Sequence, residues 1–273
     1  MKLLSILMKR KEVIQMPKLF CISDIHSYFD EMKEALDDAG FDAENENHWL
    51  ITCGDHFDRG PQSYEVFQYL KSLKRKILVR GNHEDLLLEC CKRGEWFSYD
   101  MSNGTFTTIC DLGGADKGRT FEECCRKTLS VVEPFINGMV DYFETENYIF
   151  VHSWIPLKCN DGLPKYYTHH RQFEFNPDWR YAHASEWDAA RWGNPFDLAS
   201  KGLLPDKTIV FGHFHTSYAR NKFDDKPEFG EDADFSIYHG DGFIGIDACT
   251  AYSGKVNILV LEDNFLEKPI DKP

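Results

Sequence analysis

Five short polar clusters each close an apolar run in this chain: Asp24-Ile25-His26, Gly54-Asp55-His56-Phe57-Asp58-Arg59-Gly60, Gly81-Asn82-His83-Glu84, Val151-His152 and Gly212-His213-Phe214-His215. Together they offer carboxylates, imidazoles and an amide, the mixed oxygen and nitrogen donor set that suits zinc, manganese and iron. Singly, each has an ordinary explanation. Asp-x-His after a strand is usually a turn or a helix cap. Asp-Arg-Gly before Pro61 reads as a turn with a surface ion pair, and a lone histidine is more often a hydrogen-bonded core residue than a ligand. Five such clusters in this order, all at the ends of apolar runs, are hard to produce by turn chemistry alone.

Groups of this kind need rigid elements to hold them, and the flanking sequence supplies candidates. Apolar runs at 19–22, 49–53, 76–79, 148–151 and 208–211 read as short buried strands. Helices are expected at about 30–39, 63–73, 84–92 and 120–137. Residues 94–118, with several glycines, read as loop-rich. Residues 155–200 read as a long structured loop with short helices. Two late strands, 243–246 and 256–262, are expected to join as a hairpin around 252–255. Strand, loop and helix alternate from 18 to 95, which implies a sheet covered by helices. The clusters fall at the carboxyl ends of the strands, where α/β sheets bind their ligands.

Bulk properties narrow the function classes. The 273 residues permit one large domain or two small ones. With 31 basic and 45 acidic residues the formal net charge is −14, which argues against a surface that tracks nucleic-acid backbones. A small phosphate-bearing substrate remains compatible, because bound metal ions can supply local positive charge on an acidic protein. Nine cysteines occur without a Cys-x-x-Cys spacing, so a reducing compartment and a cytoplasmic protein are expected. No stretch approaches the ~20 apolar residues of a membrane span, and no membrane partner is expected. Residues 1–16 lack the order of a secretory signal and read as an N-terminal appendage. Residues 266–273 read as a loose tail, leaving a single domain over 17–265.

The motif set resembles the signature of the calcineurin-like metallophosphoesterases: Asp-x-His, Gly-Asp-x-x-Asp-Arg-Gly, Gly-Asn-His-Glu, a later His and a final Gly-His. The Asp-Arg-Gly and Gly-Asn-His-Glu forms look most like the phosphoprotein phosphatase branch, which also includes the symmetrical diadenosine tetraphosphatases of bacteria. The resemblance covers residues 18 to about 262. It implies an α/β fold, a four-layer αββα sandwich, with insertions at 86–147 and 155–205 rimming a metal cleft. It implies two divalent metal ions, manganese by family habit, with iron or zinc also suited to the donors. Asp24 and His26 would bind the first ion, Asp55 would bridge both, and Asn82, His152 and His213 would bind the second. Asp58 would orient His83, the general acid for the leaving group. Arg59 would bind phosphate oxygens through its planar fork.

Two further residues follow from the same resemblance. The phosphate site of the family usually has a second arginine between the late His and the Gly-His, and Arg191 is the candidate; the alternative is packing on Trp187 or Trp192. The chain reads Gly-His-Phe-His where the phosphoprotein branch has Thr after Gly-His. The wider family uses Gly-His-x-His, so His215 is expected as a seventh ligand. His56 occupies a variable position, Asp247 is expected to be structural, and His169-His170 are expected at the surface or facing substrate. The expected activity is hydrolysis of phosphate monoesters, phosphoserine or phosphothreonine, by a hydroxide held between the two metals. The alternative is a nucleotide pyrophosphohydrolase acting on diadenosine tetraphosphate, with a base-stacking pocket built from the Asn103-Gly104 loop and the aromatic 155–200 segment. A catalytically dead binding module would lack a ligand or the acid, and none is missing. A monomer is the default assembly.

Overall fold

The fold is taken from a computed structural model, which describes residues 16–160, 162, 167 and 171–266. The expected appendage (up to residue 15), the tail from 267 and the His169-His170 pair lie outside the described residues. The strands are β1 (Lys18–Ile22), β2 (His48–Cys53), β3 (Lys76–Val79), β4 (Tyr142–Glu144), β5 (Tyr148–Val151), β6 (Lys158–Cys159), β7 (Phe173–Glu174), β8 (Thr208–Phe211), β9 (Tyr238–Gly240), β10 (Phe243–Gly245) and β11 (Leu259–Glu262). The α-helices are α1 (Phe29–Asp38), α2 (Ser63–Ser72), α3 (Asn82–Arg93), α4 (Ser98–Asn103), α5 (Thr105–Gly113), α6 (Phe121–Asn137), α7 (Ala184–Ala190), α8 (Pro195–Ser200), α9 (Thr216–Asp224) and α10 (Thr250–Ser253).

Two mixed sheets form, ordered β11-β1-β2-β3 and β4-β5-β8-β10-β9, with a small β6-β7 pair apart from them. The period-2 alternation of each strand assigns its side chains to layers. From the first sheet, Leu19, Cys21, Ile51, Cys53 and Val79 meet Phe150, Val210 and Ile244 of the second in the central core. The alternate residues Phe20, Ile22, Leu50 and Leu78 turn outward and pack with Met32, Leu36, Val66, Leu70, Leu87, Ile109 and Val132 of the helices over that sheet. On the far side Ile149, Val151, Ile209 and Phe211 pack with Trp179, Trp187, Phe196 and Ala219. The result is the expected αββα order. No helix among the described residues is long and apolar enough to cross a membrane.

Two local expectations are corrected. The late strands do not form a hairpin: β10 lies parallel to β8 and antiparallel to β9, while β11 pairs with β1 of the other sheet. The connection over 246–258 is too long for a hairpin loop, and it carries α10 instead. The glycine-bearing 94–118 stretch is helical, because Gly94 and Gly104 adopt the left-handed conformation that ends α3 and α4.

Candidate metal centre

Within each sheet the neighbouring strands β1, β2 and β3, and β5, β8 and β10, run parallel. The polar clusters follow their carboxyl ends. Asp24 and His26 follow β1. Asp55, Asp58 and Arg59 follow β2. Asn82 and His83 open α3 just after β3. His152 follows β5 and His213 follows β8. The loops are tightly wound: of nine non-glycine residues with positive φ among the described residues, seven are Asp24, His26, Ser27, Asp55, Asp58, Arg59 and His213. Such backbone persists only where its surroundings over-determine it, and it concentrates at functional sites. Close approach enforces it here, since a Cβ on Gly81 would collide with the Asp55 carboxylate.

The Asp55 carboxylate stands between two sets of donors. Its Oδ2 lies 3.7 Å from His26 Nε2 and 3.9 Å from His83 Nε2. Its Oδ1 lies 3.4 Å from His152 Nε2 and accepts the His83 backbone N–H at 3.0 Å. His26, Asp55 and His83 form one group of donors within 4.8 Å of one another, and Asp55, His152 and His213 form another. Asp24 Oδ1 is 3.9 Å from His26 Nε2, and its Oδ2 accepts the His213 backbone N–H at 2.8 Å. Asn82 Oδ1 is 2.8 Å from His152 Nε2, which is itself 3.1 Å from His213 Nδ1.

The tautomers make this crowding informative. His26 Nδ1 lies 2.9 Å from the Phe57 carbonyl and His152 Nδ1 lies 2.7 Å from the Cys53 carbonyl. A carbonyl can only accept, so each Nδ1 carries the hydrogen and each Nε2 presents a lone pair. Burial first, then Arg59 and His83, holds the His26 pKa well below the usual imidazole value. Burial also lowers His152. In His213 burial, His152 and His83 act the same way. Each ring is thereby favoured in its neutral form, and the lone pair of His152 Nε2 faces the Asn82 amide oxygen and His213 Nδ1. Burial and the neighbouring Asp247 and Asp55 push Asp24 upward. Neutral imidazoles and crowded buried carboxylates are what divalent cations relieve, and donors bound at ~2 Å to one ion sit at ~3–4 Å from each other. The donor set fits metal binding.

Residues 17–229 match the calcineurin-like phosphoesterase family. The chain belongs to that family. Calcineurin-like phosphoesterases are metal-dependent hydrolases, in keeping with the His/Asp cluster. Two bacterial relatives carry the name symmetrical bis(5'-nucleosyl)-tetraphosphatase. The one from Hamiltonella defensa is 43% identical over 70 residues, 25% of each chain. The one from Aromatoleum aromaticum is 36% identical over 77 residues, 28% of each chain. The chain thus matches about a quarter of the length of these relatives. Among solved structures, a point mutant of a cold-active protein tyrosine phosphatase superposes with a TM-score of 0.53 at 15% identity, covering 91% of this chain and 76% of that one. That likeness is one of fold.

Around the phosphoesterase cluster, His83 Nδ1 is 2.8 Å from Asp58 Oδ2, which also accepts from Thr105 Oγ1 at 2.6 Å. Burial alone would lower His83, but Asp55 and the Asp58 hydrogen bond hold its pKa above the usual value. Arg59 is exposed, and its Nη2 comes to 3.5 Å from His83 Nε2. Thr105 has no motif around it and escapes sequence reasoning. It reaches Asp58 because Gly104 packs directly on the Arg59 backbone. Asp247, buried beside Asp24 and Asp55, is held up at about 6 by burial; its place after an apolar run was the only signal in the sequence.

Two expected site residues are not brought into the cluster. His215 caps α9: its Nδ1 accepts the Tyr218 N–H at 3.2 Å and lies 2.9 Å from Ser217 Oγ, while its Nε2 is 3.4 Å from Glu228. Both ring nitrogens are engaged away from Asp24 and His26. Arg191 is buried against three carboxylates, Asp85 at 2.9 Å, Asp188 at 2.6 Å and Asp141 at 2.5 Å. Among the described aromatics of the 155–200 segment, Tyr167, Trp179, Trp187 and Phe196 are buried in the core, while Phe175 and Tyr181 are exposed.

Proposed function

We propose that this phosphoesterase hydrolyses phosphate esters with two divalent metal ions, and that the Asp55 carboxylate joins the two halves of its site. The observation that carries this reading is the pair of Asp55 oxygens facing separate donor groups. Asp24 and His26 would serve one ion and Asn82, His152 and His213 the other, with Asp55 shared. Two ions held there would neutralise charge on the phosphate and acidify a water, manganese being the first candidate. Arg59 is free to bind phosphate oxygens in a planar fork beside His83. Asp58 fixes the hydrogen of His83 on Nδ1, and the nearby Asp55 and Asp58 carboxylates favour the protonated ring, so that Nε2 would be the atom to give a proton to the leaving oxygen.

For the substrate we favour symmetrical bis(5'-nucleosyl) tetraphosphates, the compounds in the names of the relatives matched over a quarter of the chain. Phosphoserine and phosphothreonine esters are the second reading, favoured by the Asp-Arg-Gly and Gly-Asn-His-Glu motifs. Arg191 and His215 take no part as they stand. The active unit is a monomeric domain over 17–265, and nine free thiols support the cytoplasm as its compartment.

The test is manganese-loaded protein assayed in parallel on diadenosine tetraphosphate, with chromatography of ADP, and on a phosphoserine peptide, with phosphate release. Asp55→Asn is the blank. Turnover of the nucleotide alone supports the first substrate reading and turnover of the peptide alone the second. Turnover of neither, nor of any small phosphate ester, by protein with both ions bound would refute the function.

A further inference from the structure

Asp55 holds its place against its own backbone, with φ at 54°. The restraint comes largely from one buried carboxylate. Glu84 Oε2 accepts the N–H of Asp55 at 3.1 Å and of Gly81 at 2.7 Å. Its Oε1 accepts the N–H of His56 at 2.9 Å and lies 3.0 Å from His56 Nδ1. The His56 ring continues the line, with Nε2 2.6 Å from Thr52 Oγ1 on β2. Glu84, His56 and Thr52 are all fully buried. With Nδ1 donating to the carboxylate, Nε2 accepts from the Thr52 hydroxyl, so each polar atom of the ring has a partner.

His56 belongs to neither donor group, yet it supplies the one side-chain donor that Glu84 Oε1 has. Without it a buried carboxylate loses a charge-assisted bond and is free to rotate away from the backbone amides it ties together. The loops after β2 and β3 meet at that carboxylate. We propose that His56 is a positioning residue: through Glu84, and braced by Thr52, it locks the Asp55 turn and sets where the shared carboxylate stands. This rests on the metal-binding reading of Asp55. Metal affinity and kcat should therefore depend on a hydrogen-bond donor at position 56, while KM at saturating manganese, where Arg59 outside this network keeps its hold on phosphate, should change little.

The experiment compares His56→Leu, His56→Asn and Thr52→Val with the wild type. Manganese affinity of metal-free protein is measured by titration calorimetry, kcat and KM on p-nitrophenyl phosphate, and folding by urea melts of the metal-free chains. His56→Leu is expected to weaken manganese binding about 10- to 100-fold and to lower kcat at unchanged KM. His56→Asn, whose Nδ2 can replace the Nδ1 donor, is expected to regain most of both. Thr52→Val should fall between, with about a fivefold loss. The proposal is overturned if His56→Leu binds manganese as the wild type does, or if Asn and Leu are equally impaired. Should His56→Leu fail to fold, wild-type manganese affinity in Thr52→Val overturns it. A wild type that takes up manganese while the variants match it refutes the positioning alone, whereas a wild type that takes up none sinks the metal reading with it.

Discussion

Replacing Asp58 by asparagine isolates the proton-transfer half of the proposed chemistry. The change is isosteric, and the geometry accommodates it. The amide oxygen can take the Oδ2 position and keep His83 Nδ1 and Thr105 Oγ1 as donors. The amide nitrogen then takes the Oδ1 position, an atom that has no partner in the wild type. The variant thus loses charge and keeps shape. What His83 loses is a charge-assisted bond, about 1.5–3 kcal/mol, which converts to roughly 10- to 150-fold in rate if that energy keeps Nε2 protonated as bond cleavage proceeds. The loss should fall on substrates that need the acid. With manganese-saturated protein, kcat on phosphoserine or an alkyl phosphate should drop by that factor. kcat on p-nitrophenyl phosphate, whose leaving group needs little protonation, should drop severalfold at most. The alkaline limb of the phosphoserine profile should move to lower pH, because a His83 without its carboxylate loses its proton earlier. Equal losses on both esters with an unshifted limb would refute the assignment of His83 as the acid and leave it as a donor in the His26–Asp55 group.

Asp55→Asn should reduce bound metal, read by elemental analysis of the dialysed protein, and abolish turnover; both ions bound with normal rates would overturn the mechanism. Arg191→Leu removes the cation that Asp85, Asp141 and Asp188 share, while Asp85 keeps Arg80. It should lower the unfolding free energy in urea by about 3 kcal/mol, with KM changed little, whereas a phosphate-binding role would raise KM at unaltered stability. His215→Ala should leave the manganese stoichiometry intact and cost about 1 kcal/mol through the lost cap of α9. Glu144 accepts from Arg180 at 2.9 and 2.8 Å and from Lys207 at 2.8 Å. Burial would raise its pKa, but these bonds hold it below the usual carboxylate value. A depressed folded pKa gives stability that is present above the unfolded value and lost as pH falls through the folded one. Arg180→Met should therefore reduce urea stability near neutrality and flatten its decline toward acid pH.

The parts of this molecule legible in its sequence are those fixed by short-range periodicity. β1, β2, β3, β5 and β8 are apolar runs with a polar stop, and the residues at those stops, from Asp24 to His213, are the ones the fold gathers. β4 and β9, three residues each at the two edges of the second sheet, carry too little pattern to be read. The expected hairpin failed because β10 and β11 look alike as apolar runs, while their partners, β8 and β1, are fixed by which sheet has an open edge. His215 and Arg191 show the same limit at the scale of side chains. A Gly-His-x-His spacing places a histidine near the cluster, but the helix that starts there needs an N-cap, and His215 meets that need first. An arginine at the right separation from two ligands gives no sign of two aspartates from other segments, Asp85 and Asp141, converging on it beside Asp188 of the helix it caps. Thr105 and His56 are legible only in three dimensions, since each acts by touching a carboxylate, Asp58 or Glu84, brought to it from another part of the chain. Motifs thus report groups aligned along one strand's end, and the network that orients those groups is assembled across strands, where spacing in sequence carries no signal.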